Sequence, residues 1–226
     1  MKKLLLLFLT ILLCYSCEIQ YDGKTRIVAQ GQLIDRNNNP ISDKRIEINT
    51  YSDGTYSRSD LISYANTDSE GKFTLVFPAP KSDDIDIIVT LSSIYTGSYN
   101  GTSPEYQPKQ IKAQKRNFVN YKLDLNKIPL YKKDEITQLE VVLNKTTNTR
   151  QITKISVDGL LSDESIDLNQ KDQNHYINTL FNVVKNQNIK LSYTVEDYSD
   201  PTKLVRTNHE AVVTINSEKV IHTITY

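Results

Sequence analysis

Short segments of alternating apolar and polar residues, separated by clusters of turn-forming residues, restrict the fold of this chain more than any other feature. Residues 46–51 alternate between apolar and polar, and residues 72–77 follow the turn-forming run 68–71 with Phe73 and Leu75 on one side. A period of two places successive side chains on opposite faces of a strand, so each such segment predicts a strand with one buried face. Frequent Thr, Ile, Val and Tyr favour strands as well. The sequence therefore predicts an all-β protein.

The N-terminus has the three parts of a secretory signal. Lys2 and Lys3 precede the apolar run Leu4–Leu13, and the small residue Ser16 stands before Cys17. The run is shorter than the roughly 20 residues that a membrane-spanning helix needs. We therefore expect residues 1–16 to be a signal peptide.

The pair Ser16-Cys17 resembles the end of the bacterial lipobox, in which a small residue precedes the Cys that is lipidated. Cys14 fits this pattern less well because the bulky Leu13 precedes it. The resemblance implies acylation of Cys17, attachment to a membrane through the lipid, and a place in the bacterial cell envelope, at the outer membrane. An ordinary signal peptide that contains two Cys is the alternative. Residues 17–25 are then the lipidated Cys and a tether.

Charge and cysteine content narrow the function classes further. Removal of Lys2 and Lys3 with the signal leaves 25 basic residues against 27 acidic ones. A nearly neutral chain argues against nucleic acid as a partner bound through bulk charge. Cys17 is the one Cys left after processing, so no disulfide is expected and stability must come from apolar cores.

Residues 26–126 carry a family resemblance. The residues in question are Gly31-Gln32-Leu33-Ile34-Asp35, Asn39-Pro40-Ile41, Ile46-Glu47-Ile48, Thr67-Asp68-Ser69-Glu70-Gly71-Lys72-Phe73 and Pro78. Together they resemble the carboxypeptidase regulatory-like domain, a usually non-catalytic family. The resemblance implies a transthyretin-like, seven-stranded Greek-key β-sandwich. Gly71 supplies backbone freedom for a turn, and Asn39 stands where the family usually has Gly, since Asn tolerates left-handed geometry.

The rest of the chain predicts a second sandwich. Residues 127–134 are expected to be a linker, and residues 135–226 contain strand-like segments that resemble immunoglobulin or fibronectin type III modules in general pattern. The apolar residues between 176 and 184 also fit a period of 3.6, so a short helix there is an alternative. The sequence thus predicts two tandem β-sandwich domains, transthyretin-like and then immunoglobulin- or fibronectin-like.

A long insertion at residues 92–120 is the one candidate ligand-binding loop. Tyr95, Tyr99 and Tyr106 stand there among Gly, Ser and Asn, a mixture typical of adaptable recognition surfaces. Their rings would contact a sugar or a partner protein. The alternative is a solvated loop whose Tyr rings pack on their own sandwich.

No motif points to catalysis, a metal or a cofactor. His175, His209 and His222 have no Cys or carboxylate at a metal-ligand spacing, and no G-x-S-x-G elbow supports a Ser–His–Asp triad. Residues 35–46 resemble a calcium loop only superficially, since Pro40 replaces its Gly. The acidic cluster 83–86 is better interpreted as a solvated loop. We expect neither a metal nor a cofactor.

These observations favour a non-enzymatic, lipid-anchored envelope protein that acts as an interaction or assembly module. The alternative is a glycan-binding accessory lipoprotein of a surface polysaccharide-uptake system, with the contact made by residues 92–108 or by the second domain. A hydrolase with an unrecognised site is a third and weaker hypothesis. The expected partners are the membrane, through the N-terminal lipid, and an envelope protein or a glycan.

Overall fold

In the residues that the computed structural model describes, the alternating segments of the sequence form fourteen strands. The structure describes residues 19–52, 58–92, 105–161, 164–168, 179–200 and 202–226. Within these ranges, helical structure is limited to two short 3-10 turns, at Lys115–Asn117 and Lys133–Glu135. The prediction of an all-β protein is confirmed.

The chain divides into two compact units, with the boundary between Leu130 and Tyr131. Each unit has its own cluster of buried apolar side chains.

The described part of the first unit contains seven strands. They are β1 (Tyr21–Ile34), β2 (Arg45–Ser52), β3 (Arg58–Asn66), β4 (Lys72–Pro80), β5 (Asp86–Leu91), β6 (Lys109–Ala113) and β7 (Lys122–Pro129). One sheet has the order β4-β1-β7, and the other has the order β3-β2-β5-β6. Strand β1 pairs antiparallel with β4 and parallel with β7. Ile27, Ile48 and Phe77 come from both sheets and share one buried cluster, so the sheets form a sandwich.

The turn before β4 shows why this segment needs a glycine. The Asp68 carboxylate accepts hydrogen bonds from the N–H groups of Glu70 (2.9 Å) and Lys72 (2.8 Å). Gly71 has φ of 71°, in the left-handed region, and a Cβ there would lie 2.4 Å from the carbonyl oxygen of Leu33. Both the backbone angle and the close approach exclude a side chain. The predicted role of Gly71 is confirmed.

The turn after β1 is built around an aspartate. The Asp35 carboxylate accepts hydrogen bonds at 2.8 Å from the N–H groups of Asn37 and Asn39. The left-handed residue is Asn38, with φ of 63°. The sequence pattern assigned this tolerance to Asn39, which was wrong by one residue. Asn39 instead donates its side-chain amide to Asp35 (3.0 Å).

Seven strands are also described in the second unit. They are β8 (Ile136–Asn144), β9 (Arg150–Asp158), β10 (Glu164–Asp167), β11 (Leu180–Val184), β12 (Gln187–Asp197), β13 (Val205–Ile215) and β14 (Lys219–Thr225). One sheet has the order β11-β8-β14, and the other has the order β10-β9-β12-β13. Leu139, Ile155 and Phe181 belong to the shared core between these sheets. The prediction of two tandem β-sandwiches is confirmed.

The two units have the same strand order. When the strands of each unit are counted from its first strand, both contain one sheet ordered 4-1-7 and one ordered 3-2-5-6. In each unit the first strand is antiparallel to the fourth and parallel to the seventh. An immunoglobulin-type sandwich instead groups its first, second, fourth and fifth strands in one sheet. The second unit therefore follows the plan of the first.

Three segments differ from what the sequence predicted. The segment 92–120, expected to be a loop, contains the edge strand β6, in which Ala113 is buried. Residues 180–184 are strand β11 and not helix, because each residue from 180 to 184 pairs with one of β8. The expected linker 127–134 begins within β7, and Leu130 and Tyr131 are both buried.

The start of the first unit also lies earlier than the sequence pattern indicated. Strand β1 begins at Tyr21, within the segment expected to be a tether, and Ile19 is already buried. An irregularity in the pairing with β4 between Tyr21 and Arg26 interrupts the alternation there. That interruption hides the first part of the strand from a search for a period of two.

Candidate functional site

The residues singled out from the sequence lie partly outside the described ranges. Cys17, Tyr95 and Tyr99 are among those outside. Tyr106 is described, and its side chain belongs to the core of the first unit with 8% of its surface exposed. The Lys44 ammonium lies 5.3 Å from the centre of its ring. Tyr106 is therefore a packing residue and does not present its ring to a ligand.

A surface on the first unit exposes aromatic side chains instead. We define the tyrosine face as Arg45, Glu47, Tyr51, Leu61 and Tyr64, on the outward side of β2 and β3. Tyr64 is 60% exposed, Leu61 44% and Tyr51 37%. Tyr64 lies opposite Glu47 in the strand pairing. The face thus combines exposed rings, an exposed aliphatic side chain and a pair of charges.

A β-bulge creates this face. The pairing of β2 with β3 shifts between Ile48 and Asn49, so that Ile48 lies opposite Ser63 whereas Asn49 lies opposite Leu61. Ile62 is the extra residue, and it packs against the core. Bulges re-aim side chains in this way. Because of the shift, Leu61 shares the outward side with Tyr64.

Charged groups hold Tyr64 in place on the tyrosine face. The Arg45 guanidinium lies 4.0 Å from the centre of the Tyr64 ring, a cation–π contact. Arg45 Nε donates a hydrogen bond of 2.6 Å to the Glu47 carboxylate, which balances its charge. A ring stacked under a paired guanidinium loses little entropy on binding, because its position is already restricted.

Asp86, on the same sheet, is a structural residue. It is buried and accepts hydrogen bonds from Lys112 (2.6 Å) and Gln114 (3.2 Å). The hydrogen bond from Lys112 is the main cause of a lowered pKa at this carboxyl group. A paired carboxylate of this kind does not supply a general base at neutral pH.

The second unit contains a pocket at one end of its sandwich. We define the hairpin pocket by Arg150, Tyr193, Val195, Asp197, Val205, Thr207, His209, Thr225 and Tyr226, which enclose about 320 Å³. Its floor consists of three cross-strand rows on the inner side of β12 and β13. The rows are Tyr193 with His209, Val195 with Thr207, and Asp197 with Val205.

The two ends of the hairpin pocket differ in chemistry. At the inner end, the Tyr193 and His209 rings stack with centres 5.0 Å apart and planes 14° apart. At the outer end, Arg150 Nε donates a hydrogen bond of 2.8 Å to Asp197. That bond is the main reason why the pKa of Asp197 falls from 3.8 to about 2. The ion pair is therefore fully formed at neutral pH.

A hydrogen-bonded carboxylate supports the hairpin from its other side. Glu196 is 3% exposed and accepts hydrogen bonds from the Tyr198 hydroxyl, from Arg206 Nε (2.6 Å) and from Gln151 Nε2 (3.4 Å). The bond from Tyr198 is the largest cause of a lowered pKa at Glu196. Because Glu196 lies on β12 and its partners include Gln151 on β9 and Arg206 on β13, this network links the strands that carry the pocket.

A second cavity lies on the three-stranded sheet of the first unit. It encloses about 330 Å³, and its lining includes Gln30, Lys72, Phe73 and Asp124. Gln30 Nε2 donates to Asp124 (2.9 Å), and Gln32 Nε2 donates to the Glu70 carbonyl (2.7 Å). The side-chain amides of these two Gln residues are therefore engaged within the protein.

Potential metal-ligating side chains are dispersed in the part of the chain that the structure describes. No group of three His, Cys, Asp or Glu side chains there is placed to hold a metal ion. His209 lies in the hairpin pocket, His222 lies on β14, and His175 is outside the described ranges. No helix in those ranges is long and apolar enough to cross a membrane.

The residues that form the hairpin pocket lie in two alternating segments of the sequence, but the sequence does not show that these segments pair. Tyr193, Val195 and Asp197 alternate along one strand, as do Val205, Thr207 and His209 along the next. Their pairing depends on the register of β12 against β13, which only the structure supplies. The tyrosine face was missed for a related reason, since the bulge at Ile62 breaks the alternation of β3.

No protein-family model matches the chain, and no curated protein matches it. Among solved structures, the shaft pilin spaA from Lactobacillus rhamnosus GG aligns with 89% of this chain and 98% of its own, at 8% identity and a TM-score of 0.33. A putative cell adhesion protein from Bacteroides fragilis aligns with 88% of this chain and 92% of its own, at 11% identity and a TM-score of 0.26. A 9R-lipoxygenase from Cyanothece aligns with 55% of this chain at 18% identity and a TM-score of 0.27, and the chain spans 20% of its length. These similarities transfer no activity, substrate or partner to the chain.

Proposed function

We propose that this chain is a non-enzymatic, lipid-anchored protein of the bacterial cell envelope that acts as an interaction or assembly module. In this proposal Cys17 carries the lipid at the outer membrane, and the first unit is a carboxypeptidase regulatory-like domain. The tyrosine face is the single observation that carries the proposal. It is the surface through which the module binds a partner protein of the envelope.

The composition of the tyrosine face supports a protein partner. Tyr and Arg are enriched in protein interfaces and among the residues that dominate their affinity. Tyr64 and Tyr51 provide large contact areas with few rotatable bonds, and Leu61 adds apolar surface between them. The residues lie on the outward side of a sheet and not in a cleft, which suits a protein surface better than a small ligand.

A photo-crosslinking experiment in the native host tests this function. The full chain carries a photoreactive phenylalanine analogue at position 64 or, as a matched control, at position 76. Val76 is 56% exposed but lies on β4, in the other sheet. We expect irradiation to produce a discrete adduct with one envelope protein from position 64 only, and Tyr51→Ala to reduce its yield. Equal adducts from both positions, or none from position 64, would contradict the proposal.

The anchor requires a separate measurement. Cys17→Ser removes the sulfur that would carry the lipid, so we expect the protein to move from the membrane fraction to the soluble fraction. Metabolic labelling with an alkyne fatty acid should mark the unchanged chain and not the variant. Continued membrane retention of the variant would show that Cys17 is not the anchor.

The alternative function is glycan binding through residues 92–108 or through the second domain, and the described residues give the first route less support. Tyr106 is buried in the core, so it does not offer its ring to a sugar. Tyr95 and Tyr99 lie outside the described ranges, and their role stays a prediction.

A further inference from the structure

We propose that the hairpin pocket of the second unit binds a neutral saccharide. This site is separate from the tyrosine face, and it uses none of the Tyr residues that the sequence singled out. The inference rests on four features of the pocket: polar groups to which no other described residue forms a hydrogen bond, a balanced pair of side-chain charges, a restricted size and a fixed frame.

Several polar groups in the hairpin pocket are available to a ligand. Within the described ranges, no side chain or backbone group forms a hydrogen bond with the hydroxyls of Tyr193 and Thr207 or with the imidazole of His209. Each of these groups both donates and accepts hydrogen bonds, except that a neutral imidazole divides the two roles between its nitrogens. A saccharide hydroxyl is likewise donor and acceptor. The pocket thus offers partners matched to a polyol.

The charge in the hairpin pocket is balanced. Arg150 and Asp197 form an ion pair at its outer end, and the low pKa of Asp197 keeps that pair intact over the physiological pH range. An anionic ligand would compete with Asp197 for Arg150 and would approach a carboxylate. A neutral polyol instead accepts from the guanidinium and donates to the carboxylate without separating them.

The dimensions of the hairpin pocket suit a small ligand. Its volume of about 320 Å³ is at the lower end of the range of roughly 300–1,000 Å³ for small-molecule sites. Tyr193 and Asp197 are four residues apart on β12, which corresponds to about 13 Å along a strand. Val195, between them, and Val205, opposite Asp197 on β13, contribute apolar surface against which the C–H face of a sugar ring can pack. An extended peptide would instead continue along the edge of β13.

The frame of the hairpin pocket is fixed before binding. Glu196 lies between Val195 and Asp197 in sequence, and its hydrogen bonds to Arg206, Tyr198 and Gln151 hold three neighbouring strands on the opposite side of the sheet. Preorganisation of this kind reduces the entropy that binding costs. It favours specific recognition even by a site of small area.

The test measures saccharide binding by the full chain in detergent. An array of neutral, acidic and amino glycans identifies bound structures, and calorimetry then gives their affinity. We expect neutral glycans to bind, and His209→Ala and Thr207→Val to weaken binding at least about tenfold, which corresponds to about 1.4 kcal/mol. Tyr193→Phe, which removes only a hydroxyl, should weaken it as well.

Asn208→Ala is the matched control. Asn208 is next to His209 on β13 but lies on the opposite side of the sheet, where it forms a hydrogen bond of 2.8 Å with Thr194. We expect Asn208→Ala to bind with an affinity within about twofold of that of the unchanged chain. Asn208→Ala and His209→Ala should both keep the far-ultraviolet circular dichroism spectrum of the unchanged chain. An equal fall in affinity in these two variants would mean that the substitutions act through folding, and it would overturn the assignment.

A charge variant provides an independent arm. Asp197→Asn leaves Arg150 without its partner carboxylate in the pocket, so we expect the preference to move from neutral towards acidic glycans. Binding of acidic glycans alone by the unchanged chain would overturn the proposal. So would binding that is insensitive to His209→Ala, binding of extended peptides in place of glycans, or no binding of any neutral saccharide at millimolar concentration.

Discussion

The turn at Gly71 gives a quantitative test of how the first unit is held together. Gly71→Ala places a Cβ 2.4 Å from the Leu33 carbonyl oxygen and keeps a left-handed backbone. The left-handed conformation costs roughly 1–2 kcal/mol for a residue with a Cβ. The contact also forces the turn away from β1, where the Leu33 N–H donates to the Gly71 carbonyl (2.8 Å) and the Ile41 N–H donates to the Leu33 carbonyl (3.0 Å). Each lost hydrogen bond costs about 1 kcal/mol. We expect a total loss of about 3 kcal/mol in the free energy of unfolding.

Gly23 is the internal control for this prediction. It has φ of 72°, almost the same as Gly71, but a Cβ there meets no atom within 4 Å. Gly23→Ala therefore carries the backbone cost alone, partly offset by the reduced entropy of the unfolded chain, for a net effect of about 1 kcal/mol. The difference of about 2 kcal/mol between the two variants isolates the steric contact.

Urea unfolding followed by circular dichroism measures both variants, and hydrogen exchange locates the effect. The amide hydrogens of Leu33 and Ile41 should exchange faster in Gly71→Ala than in the unchanged protein, and their exchange rates should not change in Gly23→Ala. Equal destabilisation by the two substitutions would refute the argument, because it would mean that the close approach to Leu33 contributes nothing.

Two further predictions concern the second unit. The pKa of Asp197 in the folded protein, about 2, is below its ordinary value of 3.8. The ionised carboxylate therefore stabilises the fold fully above pH 3.8, and this contribution is lost as the pH falls towards 2. NMR titration of the Asp197 carboxylate should record this pKa, and Arg150→Gln should return it towards 3.8. Phe181→Ala should lower the free energy of unfolding by about 3–5 kcal/mol, because the Phe181 ring is 1% exposed. Leu180→Ala, at a neighbour that is 40% exposed, should change it by about 0.5 kcal/mol or less. Urea titrations of the two variants measure this difference, and similar losses in both would contradict the assigned orientation of β11.

The sequence predicted the well-alternating strands correctly and missed those whose pattern is weak. Ile46–Tyr51 and Lys72–Phe77 alternate because one face of each strand enters the core, as β2 and β4 confirm. Lys109–Ala113 was expected to be loop, since this short edge strand buries only Ala113. Leu180–Val184 was ambiguous because its apolar spacing fits both periods. Pairing with β8, a contact remote in sequence, decides its conformation.

The candidate sites are harder to predict from the sequence than the strands, because they depend on contacts between residues that are far apart in the chain. Tyr64 and Leu61 are three residues apart, a spacing that places them on opposite sides of a regular strand, and only the bulge at Ile62 brings them to one side. Tyr193 and His209 meet through a register that no local pattern fixes. Tyr106, in contrast, looked exposed from its polar neighbours but packs into the core. Local composition does not determine which side chains are covered by a strand from elsewhere in the chain.

The repeated strand order has a consequence for the way in which the protein folds as its chain emerges. In each unit the first strand has its parallel neighbour in the last one, β1 with β7 and β8 with β14. Neither three-stranded sheet is complete until the last strand of its unit has been synthesised. Until then, one edge of the first strand is unpaired. Contacts this remote in sequence slow folding, and open edges invite mispairing. Because the units repeat one strand order, β7 and β14 occupy equivalent places in their own units. The apolar residues of β7 (Leu123, Leu125 and Ile128) are spaced differently from those of β14 (Val220, Ile221 and Ile224), so the two strands differ in the side chains that they offer to β1 and β8.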